Sequence, residues 1–293
     1  MLCVHGAMAD NTAPISITDS IGRTVTLNQP ATRIVALAPH LVENVFSAGA
    51  GDKLVGAVNF SNYPEQAKSI PQVGGYHSFS MEAIVALKPD LVLMWAEGNS
   101  EDVAKSLSNL GLPVYINEPG KPETVAQTIR NIGLLAGTSA HANKVADEFL
   151  HQLTTLQGQY SREKPVSVFY QVWNKPLQTI NGQHSISDVM ALCGGRNVFA
   201  DTPIIAPKVS IESVIARDPD AIIASGMNVE RPEWLDDWRA YPQMSAVIHN
   251  NLYFVPPDIL QRHTTRLLLG AEQVCASLRT VRDKWAQQGA DKP

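Results

Sequence analysis

Residues 80–93 read SMEAIVALKPDLVL, and residues 210–223 read SIESVIARDPDAII. Ser, Glu, Ala, Pro and Asp occupy the same slots in both stretches, so that Glu212 matches Glu82 at an offset of 130 positions. In each stretch, apolar residues first recur at helical spacing and then run together after Pro-Asp. This pattern predicts a short helix, a proline-terminated turn and a buried strand. One copy in each half of the chain predicts two similar α/β lobes.

The size and charge of the chain limit the kinds of molecule that it is expected to bind. Its 293 residues suffice for two α/β domains with sizeable cores. The formal net charge is −5, and no basic run is present, which argues against nucleic acid and anionic membrane surfaces as partners. No apolar run reaches the roughly 18–20 residues that span a bilayer. We therefore expect a monomer that does not insert into a membrane.

The N-terminus has features of a secretory signal. Residues 1–10 read MLCVHGAMAD, and Ala7-Met8-Ala9 fits the A-x-A rule for signal-peptide cleavage. The apolar stretch before it is shorter than usual, so we interpret residues 1–9 as the remnant of a signal peptide. The alternative is an ordinary chain start. The first interpretation places the mature protein in the periplasm.

The cysteine count agrees with export. If Cys3 is removed with the signal, Cys193 and Cys275 remain as an even pair in an oxidising compartment. A disulfide between them would close a loop of 82 residues. The alternative is a pair of buried free thiols.

The order of predicted elements defines the architecture. Residues 15–27 alternate apolar and polar residues around Ser20-Ile21-Gly22 and predict a β-hairpin. After it, buried-strand segments alternate with helices, which predicts mostly parallel sheets flanked by helices on both faces. The predicted strands are 33–37, 54–58, 91–95, 114–116, 166–172, 221–224 and 252–255, and the predicted helices are 41–48, 100–110, 186–192, 211–216 and 264–287.

Residues 121–164 interrupt this alternation. Residues 124–136 and 139–160 both show helical periodicity, with Gly137 between them and no strand. We interpret them as a long rigid connection between the lobes. The predicted organisation is therefore an N-terminal lobe with its leading hairpin (10–120), connecting helices (121–164) and a C-terminal lobe (165–293).

Several stretches together resemble a known family. These are residues 62–67 (NYPEQA), 84–92 (IVALKPDLV) and 193–199 (CGGRNVF), with the spacing of Asp258, Arg262, Arg266 and Cys275. With the duplicated lobes and the long connection, they resemble the helical-backbone (class III) periplasmic substrate-binding proteins. That family serves ABC importers of cobalamin, ferric siderophores and haem. The resemblance is closest to the members that carry cobalamin (vitamin B12).

The resemblance implies two docking residues. Members of the family present one surface glutamate per lobe to arginines of the inner-membrane permease, and the matching positions here are Glu82 and Glu212. Two carboxylates on separate lobes would form a two-point electrostatic contact, which favours register and association rate. The alternative is that each glutamate only stabilises its own helix, from the first turn behind a serine cap.

The resemblance also implies a ligand cleft between the lobes. Aromatic side chains in loops after strands are candidate walls, because they bury large area at little entropic cost. The alternative for each of them is core packing. The candidates are Phe60, Tyr63, Tyr76, Trp95 and Trp173.

Not every wall of the family's site is retained. Cobalamin-binding members have aromatic residues at the positions of Phe60, Tyr76 and Trp95, although they carry Tyr and Trp at the first two. They also carry a tryptophan where this chain has Ala206. Asp258 and Arg262 match polar ligand contacts of the family, with a surface ion pair as the alternative.

Other features keep a ferric siderophore or haem open as the alternative ligand. His77 or His263, or Tyr76 beside His77, could supply an axial ligand for haem iron. Arg262 could face an anionic siderophore or a haem propionate. The N-terminal hairpin is commoner in the siderophore and haem binders of the class.

No catalytic signature is present in the sequence. It contains no G-x-S-x-G, H-E-x-x-H, P-loop or C-x-x-C motif, and its eight histidines show no metal-ligand spacing. We therefore expect neither an enzyme nor a resident cofactor or metal; the ligand itself is expected to be a metal chelate, with cobalamin favoured. A hydrolase with cleft residues drawn from distant loops is the remaining alternative.

Overall fold

The computed structural model describes residues 13–75, 77–160, 162–226 and 230–290. The chain forms two compact units. The first, called here the N-terminal lobe, contains the described residues up to 118 together with 128–143. The second, the C-terminal lobe, contains residues 119–127 and the described residues from 144 onward. The predicted signal remnant, including Cys3, lies outside the described residues.

The N-terminal lobe is built on a four-stranded parallel sheet in the order β4-β3-β7-β8. Buried aliphatic residues pack between this sheet and its helices. The elements in chain order are β1 (Ile15–Thr18), β2 (Thr24–Leu27), β3 (Ile34–Ala36), α1 (Pro39–Ser47), β4 (Leu54–Ala57), β5 (Gly74–Gly75), β6 (Ser78–Phe79), α2 (Met81–Ala86), β7 (Leu91–Trp95), α3 (Glu101–Asn109) and β8 (Val114–Asn117).

The leading hairpin lies on the edge of this sheet. Strands β1 and β2 pair antiparallel, as predicted. The N–H of Ser20 donates to the carbonyl of Ile116, and the Arg23 guanidinium donates to the carbonyl of Val114. Both acceptors belong to the edge strand β8, so the hairpin satisfies carbonyl groups that an open edge would leave available for pairing.

Two helices follow, α4 (Thr124–Ala136) and α5 (Ser139–Tyr160), with the bounds that the periodicity predicted. Gly137 separates them at a φ of +73°, a conformation that favours glycine. Both helices begin in one unit and end in the other. The segment 121–164 therefore contributes residues to both lobes.

The C-terminal lobe repeats the architecture, with a parallel sheet in the order β12-β9-β13-β14. Its elements are β9 (Val166–Gln171), β10 (Trp173–Asn174), β11 (Leu177–Gln178), α6 (Ser185–Leu192), β12 (Gly195–Asn197), α7 (Ile211–Arg217), β13 (Ala221–Ala224), a 3₁₀ helix (Glu233–Ala240), α8 (Ser245–Ile248), β14 (Leu252–Phe254), α9 (Pro257–Leu260) and α10 (Leu267–Ala290).

Several short elements of this lobe were not predicted, β12 and α9 among them. Strand β12 was not predicted, because Gly195-Arg196-Asn197 lacks the apolar run of a buried strand. It lies at the edge of the sheet and pairs only with β9. Residues 256–263, between a predicted strand and a predicted helix, contain the short helix α9, which has Pro257 in its first turn.

The two copies of the duplicated motif have matching backbone angles and hydrogen bonds. The residue before the proline has a positive φ in both copies, +47° at Lys88 and +38° at Asp218. The aspartate after the proline accepts backbone N–H groups at the start of the neighbouring central strand. Asp90 bonds the N–H of Arg33 at 2.8 Å, and Asp220 bonds the N–H of Ser167 at 2.9 Å. The two copies therefore fix the helix–turn–strand unit to each sheet in the same way.

The predicted disulfide is present. Cys193 ends α6, Cys275 lies within α10, and both residues are fully buried. The bond joins two elements that are 82 residues apart along the chain. The alternative of two free thiols is wrong.

Candidate ligand-binding site and docking surfaces

The candidate ligand-binding residues of the N-terminal lobe lie at the carboxyl ends of its parallel strands. Because β3, β4, β7 and β8 are parallel, the loops that follow them emerge together at their carboxyl ends. In open α/β sheets this is the edge at which ligands bind. The loop after β4 carries Phe60 and Tyr63, and Trp95 ends β7.

Phe60 and Tyr63 are exposed, at 72% and 46% of their full surface. Phe60 also has a φ of +66°, which is uncommon outside glycine and asparagine and is typical of functional loops. Core packing, the alternative considered for these rings, is therefore wrong for both. They present aromatic surface that the lobe itself does not bury.

Trp95 is half-buried and held from two directions. Its backbone N–H donates to Oδ1 of the buried Asn99 at 2.8 Å, and Asn99 donates in turn to the carbonyl of Leu37 at 3.3 Å. The Trp95 ring meets His40 edge to face, with 5.6 Å between ring centroids. The indole is therefore fixed at the strand ends with part of its surface open. Tyr76 lies outside the described residues.

Two carboxylates, those of Glu97 and Glu118, lie beside Trp95 in the N-terminal lobe. The N–H of Glu97 donates to Oε2 of Glu118 at 2.9 Å. Burial, followed by the charge of Glu97, raises the pKa of Glu118. Only the pairing of β7 with β8 brings these residues together, so no motif in the sequence indicated them.

His77, one of the candidate haem ligands, is exposed, and its Nδ1 lies 3.1 Å from the carbonyl of Gly98. His263 belongs to the C-terminal lobe, where its Nε2 lies 2.6 Å from Oγ of Ser185. Burial, helped by His184, lowers the pKa of His263 to about 4. Within the described residues, no group of three or more His, Cys, Asp or Glu side chains could hold a metal ion.

The C-terminal lobe presents an aromatic side chain and an ion pair beyond the ends of its strands. Trp173 directly follows the short connection after β9, is 36% exposed, and donates from Nε1 to the carbonyl of Lys175 at 3.1 Å. Asp258 and Arg262 follow β14 and form an ion pair at 2.9 Å. Their side chains are only 19% and 14% exposed, so the pair is largely buried rather than a surface pair.

Below these residues the C-terminal lobe has a buried polar layer. Tyr170 is fully buried at the end of β9, and burial raises its pKa to about 12. Gln261, between Asp258 and Arg262, donates to the carbonyl of Gly226 at 3.2 Å. This bond ties the segment that carries the ion pair to the end of β13.

The two glutamates matched to permease docking have the same local setting. Ser80 caps α2 by accepting the N–H of Ala83 at 3.1 Å, and Ser210 caps α7 by accepting the N–H of Ser213 at 3.2 Å. Glu82 and Glu212 occupy the first turns, and both are exposed. Hydrogen bonds from its own backbone N–H and from Ser210 lower the pKa of Glu212. Each glutamate is therefore exposed to solvent in the helix turn that its serine caps.

No helix among the described residues has the length and apolar character of a membrane span.

Comparison with known proteins identifies the family. The family described as periplasmic binding protein matches residues 34–259. A vitamin B12-binding protein of Vibrio campbellii is 37% identical over 257 residues, covering 88% of this chain and 93% of its own, and one of Yersinia pestis is 32% identical over 253 residues, covering 86% and 88%.

Solved structures agree with the sequence relatives. The periplasmic vitamin B12-binding protein BtuF of Vibrio cholerae superposes with a TM-score of 0.79 at 35% identity, covering 86% of this chain and 98% of its own. The haem-binding protein RhuT from Roseiflexus has a TM-score of 0.77 at 21% identity, covering 86% and 99%, and shares the fold. The chain belongs to the periplasmic binding protein family.

Proposed function

We propose that this protein is the periplasmic receptor of an ABC importer and that its ligand is cobalamin. The observation that carries the proposal is its similarity, at 32–37% identity and over most of both chains, to proteins named for binding vitamin B12. The haem-binding structure, at 21% identity, supports the fold alone. The same relatives support a binding protein that releases its ligand unchanged, and not an enzyme.

The chemistry of the candidate residues suits a corrinoid. A flat macrocycle needs apolar contact surfaces, which Phe60, Tyr63 and Trp95 supply on one lobe and Trp173 on the other. The amide side chains around a corrin ring both donate and accept hydrogen bonds. The Asp258–Arg262 pair offers a carboxylate acceptor and a guanidinium donor within one unit, so it can satisfy an amide without carrying net charge.

Glu82 and Glu212 are proposed to dock the receptor on its permease. Within the described residues neither carboxylate takes part in an ion pair; their contacts are hydrogen bonds with the capping serines and, at Glu212, with its own backbone N–H. Arginines of a partner therefore need not displace a cation from either glutamate. Their exposure supports this role. The helix-capping interpretation and the docking proposal are compatible, since the serine fixes the helix and the glutamate extends from it.

The ligand proposal is tested by co-elution. Purified protein is incubated with cyanocobalamin, with hemin or with a ferric hydroxamate siderophore, and passed through a gel-filtration column. We expect the corrin absorbance to elute with the protein at one equivalent, while the other two chelates elute at the included volume. Co-elution of hemin or of the siderophore, with free cyanocobalamin, would instead assign the protein to those ligands.

A further inference from the structure

We propose that Glu97 and Glu118 make this receptor discriminate against metal chelates that bear negative charge where they meet the N-terminal lobe. The inference rests on the proposed function, because it assigns a charge preference to the same ligand-binding edge. It adds two selectivity residues that neither the aromatic pattern nor the family motif indicated.

The strand register places both carboxylates at one point of this edge. Strands β7 and β8 pair in parallel, with Trp95 opposite Asn117. The N–H of Ala96 donates to the carbonyl of Asn117 at 3.0 Å, which extends the ladder by one residue. Glu97 and Glu118 are the next residues on the two strands, and the backbone N–H of Glu97 binds the Glu118 carboxylate. Both therefore lie beside Trp95, the aromatic residue held most firmly at the strand ends.

The two charges are not balanced by a cation. In the ranges that the structure describes, neither Glu97 nor Glu118 forms an ion pair. Glu97 is exposed and Glu118 is half-buried, so the field of the pair is only partly screened by water. Burial, and after it the charge of Glu97, raises the pKa of Glu118, in keeping with two like charges close together at this point. Arg262 of the other lobe is, by contrast, paired with Asp258.

This arrangement distinguishes an amide from a carboxylate of the same shape. An amide N–H can donate to either glutamate, whereas a carboxylate has no proton to donate and meets two like charges. Like-charge juxtaposition is an effective means of rejecting a wrong ligand. Cobalamin is rich in side-chain amides, while haem carries two propionates and ferric catecholates carry net negative charge. The N-terminal lobe should therefore favour the first class of chelate over the other two.

The test uses ligands that differ by one charge. Cyanocobalamin is compared with its three side-chain monocarboxylates, in each of which one amide is replaced by a carboxylate. Binding is measured calorimetrically for the native protein and for Glu97→Gln/Glu118→Gln, which keeps the size and hydrogen bonding of both side chains. The control is Glu101→Gln/Asp102→Asn. It also removes two negative charges, but from the first turn of α3.

We expect the native protein to bind at least one monocarboxylate about tenfold more weakly than cyanocobalamin, a difference of about 1.4 kcal/mol. This difference in affinity should shrink to about twofold in Glu97→Gln/Glu118→Gln and persist in the control. In the native protein it should also shrink at 1 M salt, because the Debye length falls there to about 3 Å. Thermal unfolding should confirm that both variants are folded.

Two results would overturn the inference while leaving the function standing. One is cyanocobalamin binding with no gap for any isomer, and the other is a gap of the same size in native protein and in Glu97→Gln/Glu118→Gln. Failure of the native protein to bind cyanocobalamin at all would overturn both proposals, so the two kinds of failure are distinct.

Discussion

At the scale of single residues, the sequence indicated the aromatic candidates of the N-terminal lobe but not the two carboxylates beside Trp95. Phe60 and Tyr63 could be recognised because they are aromatic residues in a loop that follows a predicted strand. Glu97 and Glu118 could not, since their proximity depends on the pairing of β7 with β8, which leaves no local pattern. Asn99, which accepts the backbone N–H of Trp95, could not be recognised either, because nothing in the sequence shows where its side chain bonds.

The contribution of Trp95 to binding can be measured directly. Replacing Trp95 with Leu removes most of the aromatic surface at the strand ends but keeps an apolar residue. We expect cyanocobalamin affinity to fall by about 2 kcal/mol, roughly 30-fold, as for a central aromatic contact. The matched control is Trp285→Leu on α10, where the ring contacts Lys164. Equal losses in the two variants, measured by calorimetry, would remove Trp95 from the site.

The lowered pKa of His263 predicts that the free energy of unfolding depends on pH. Its pKa falls from 6.5 to about 4 on folding, because burial disfavours the charged ring. The unfolded chain therefore binds the proton more readily, and the free energy of unfolding decreases as the pH falls from about 6.5 to about 4. The full difference corresponds to about 3 kcal/mol. Burial lowers the pKa of His184 as well, which acts in the same direction.

Urea unfolding between pH 7.5 and 4.5 checks this prediction. The native protein should lose stability across the window, and His263→Gln should lose less. His151→Gln, at an exposed position on α5, serves as the control and should retain the native slope. An unchanged slope in His263→Gln would show that other groups govern the acid response.

At the scale of elements, periodicity predicted most helices and buried strands, because amphipathic helices and apolar strands leave clear patterns. It reproduced the bounds of α4, α5 and β7. It missed β12, whose Gly-Arg-Asn sequence has no apolar run, since this edge strand is held by backbone pairing to β9 alone. It also missed α9 and α8, which are each only four residues long.

The disulfide joins two of these elements and should stabilise the C-terminal lobe. Cys193 and Cys275 close a loop of 82 residues. The chain-entropy model assigns such a loop about 4–5 kcal/mol, which is the most that Cys193→Ala/Cys275→Ala should lose in urea unfolding. Ser108→Ala, at an exposed position on α3, is the control and should unfold as the native protein does. No loss of stability in the double variant would mean that the bond does not constrain the unfolded chain.

At the scale of the whole molecule, the internal duplication made the two-lobed α/β architecture predictable. The 130-residue offset between Glu82 and Glu212 indicated two equivalent units, and the same capping serines and aspartate anchors recur in both. The identity of the ligand is less visible in the chain. Aromatic rings and an ion pair suit several macrocycles, so the proposal of cobalamin rests on the names of the relatives.

Docking is a property of the whole receptor with its permease. Reversing both charges in Glu82→Arg/Glu212→Arg should leave cyanocobalamin affinity unchanged, because neither glutamate is among the proposed ligand contacts. It should abolish receptor stimulation of ATP hydrolysis by the cognate importer in proteoliposomes. Glu101→Arg/Glu272→Arg reverses one exposed glutamate in each lobe and should retain stimulation. Loss of ligand binding in the first variant would argue against the docking assignment.

The central claim, that this receptor carries cobalamin, is tested most directly by calorimetric titration of the native protein with cyanocobalamin, with hemin and a ferric siderophore titrated in parallel. The account predicts saturable one-to-one binding of cyanocobalamin, with a dissociation constant of about micromolar or tighter (about −8 kcal/mol or more favourable), and no saturable heat with the other two. Saturable binding of hemin or the siderophore, with no heat from cyanocobalamin, would contradict it.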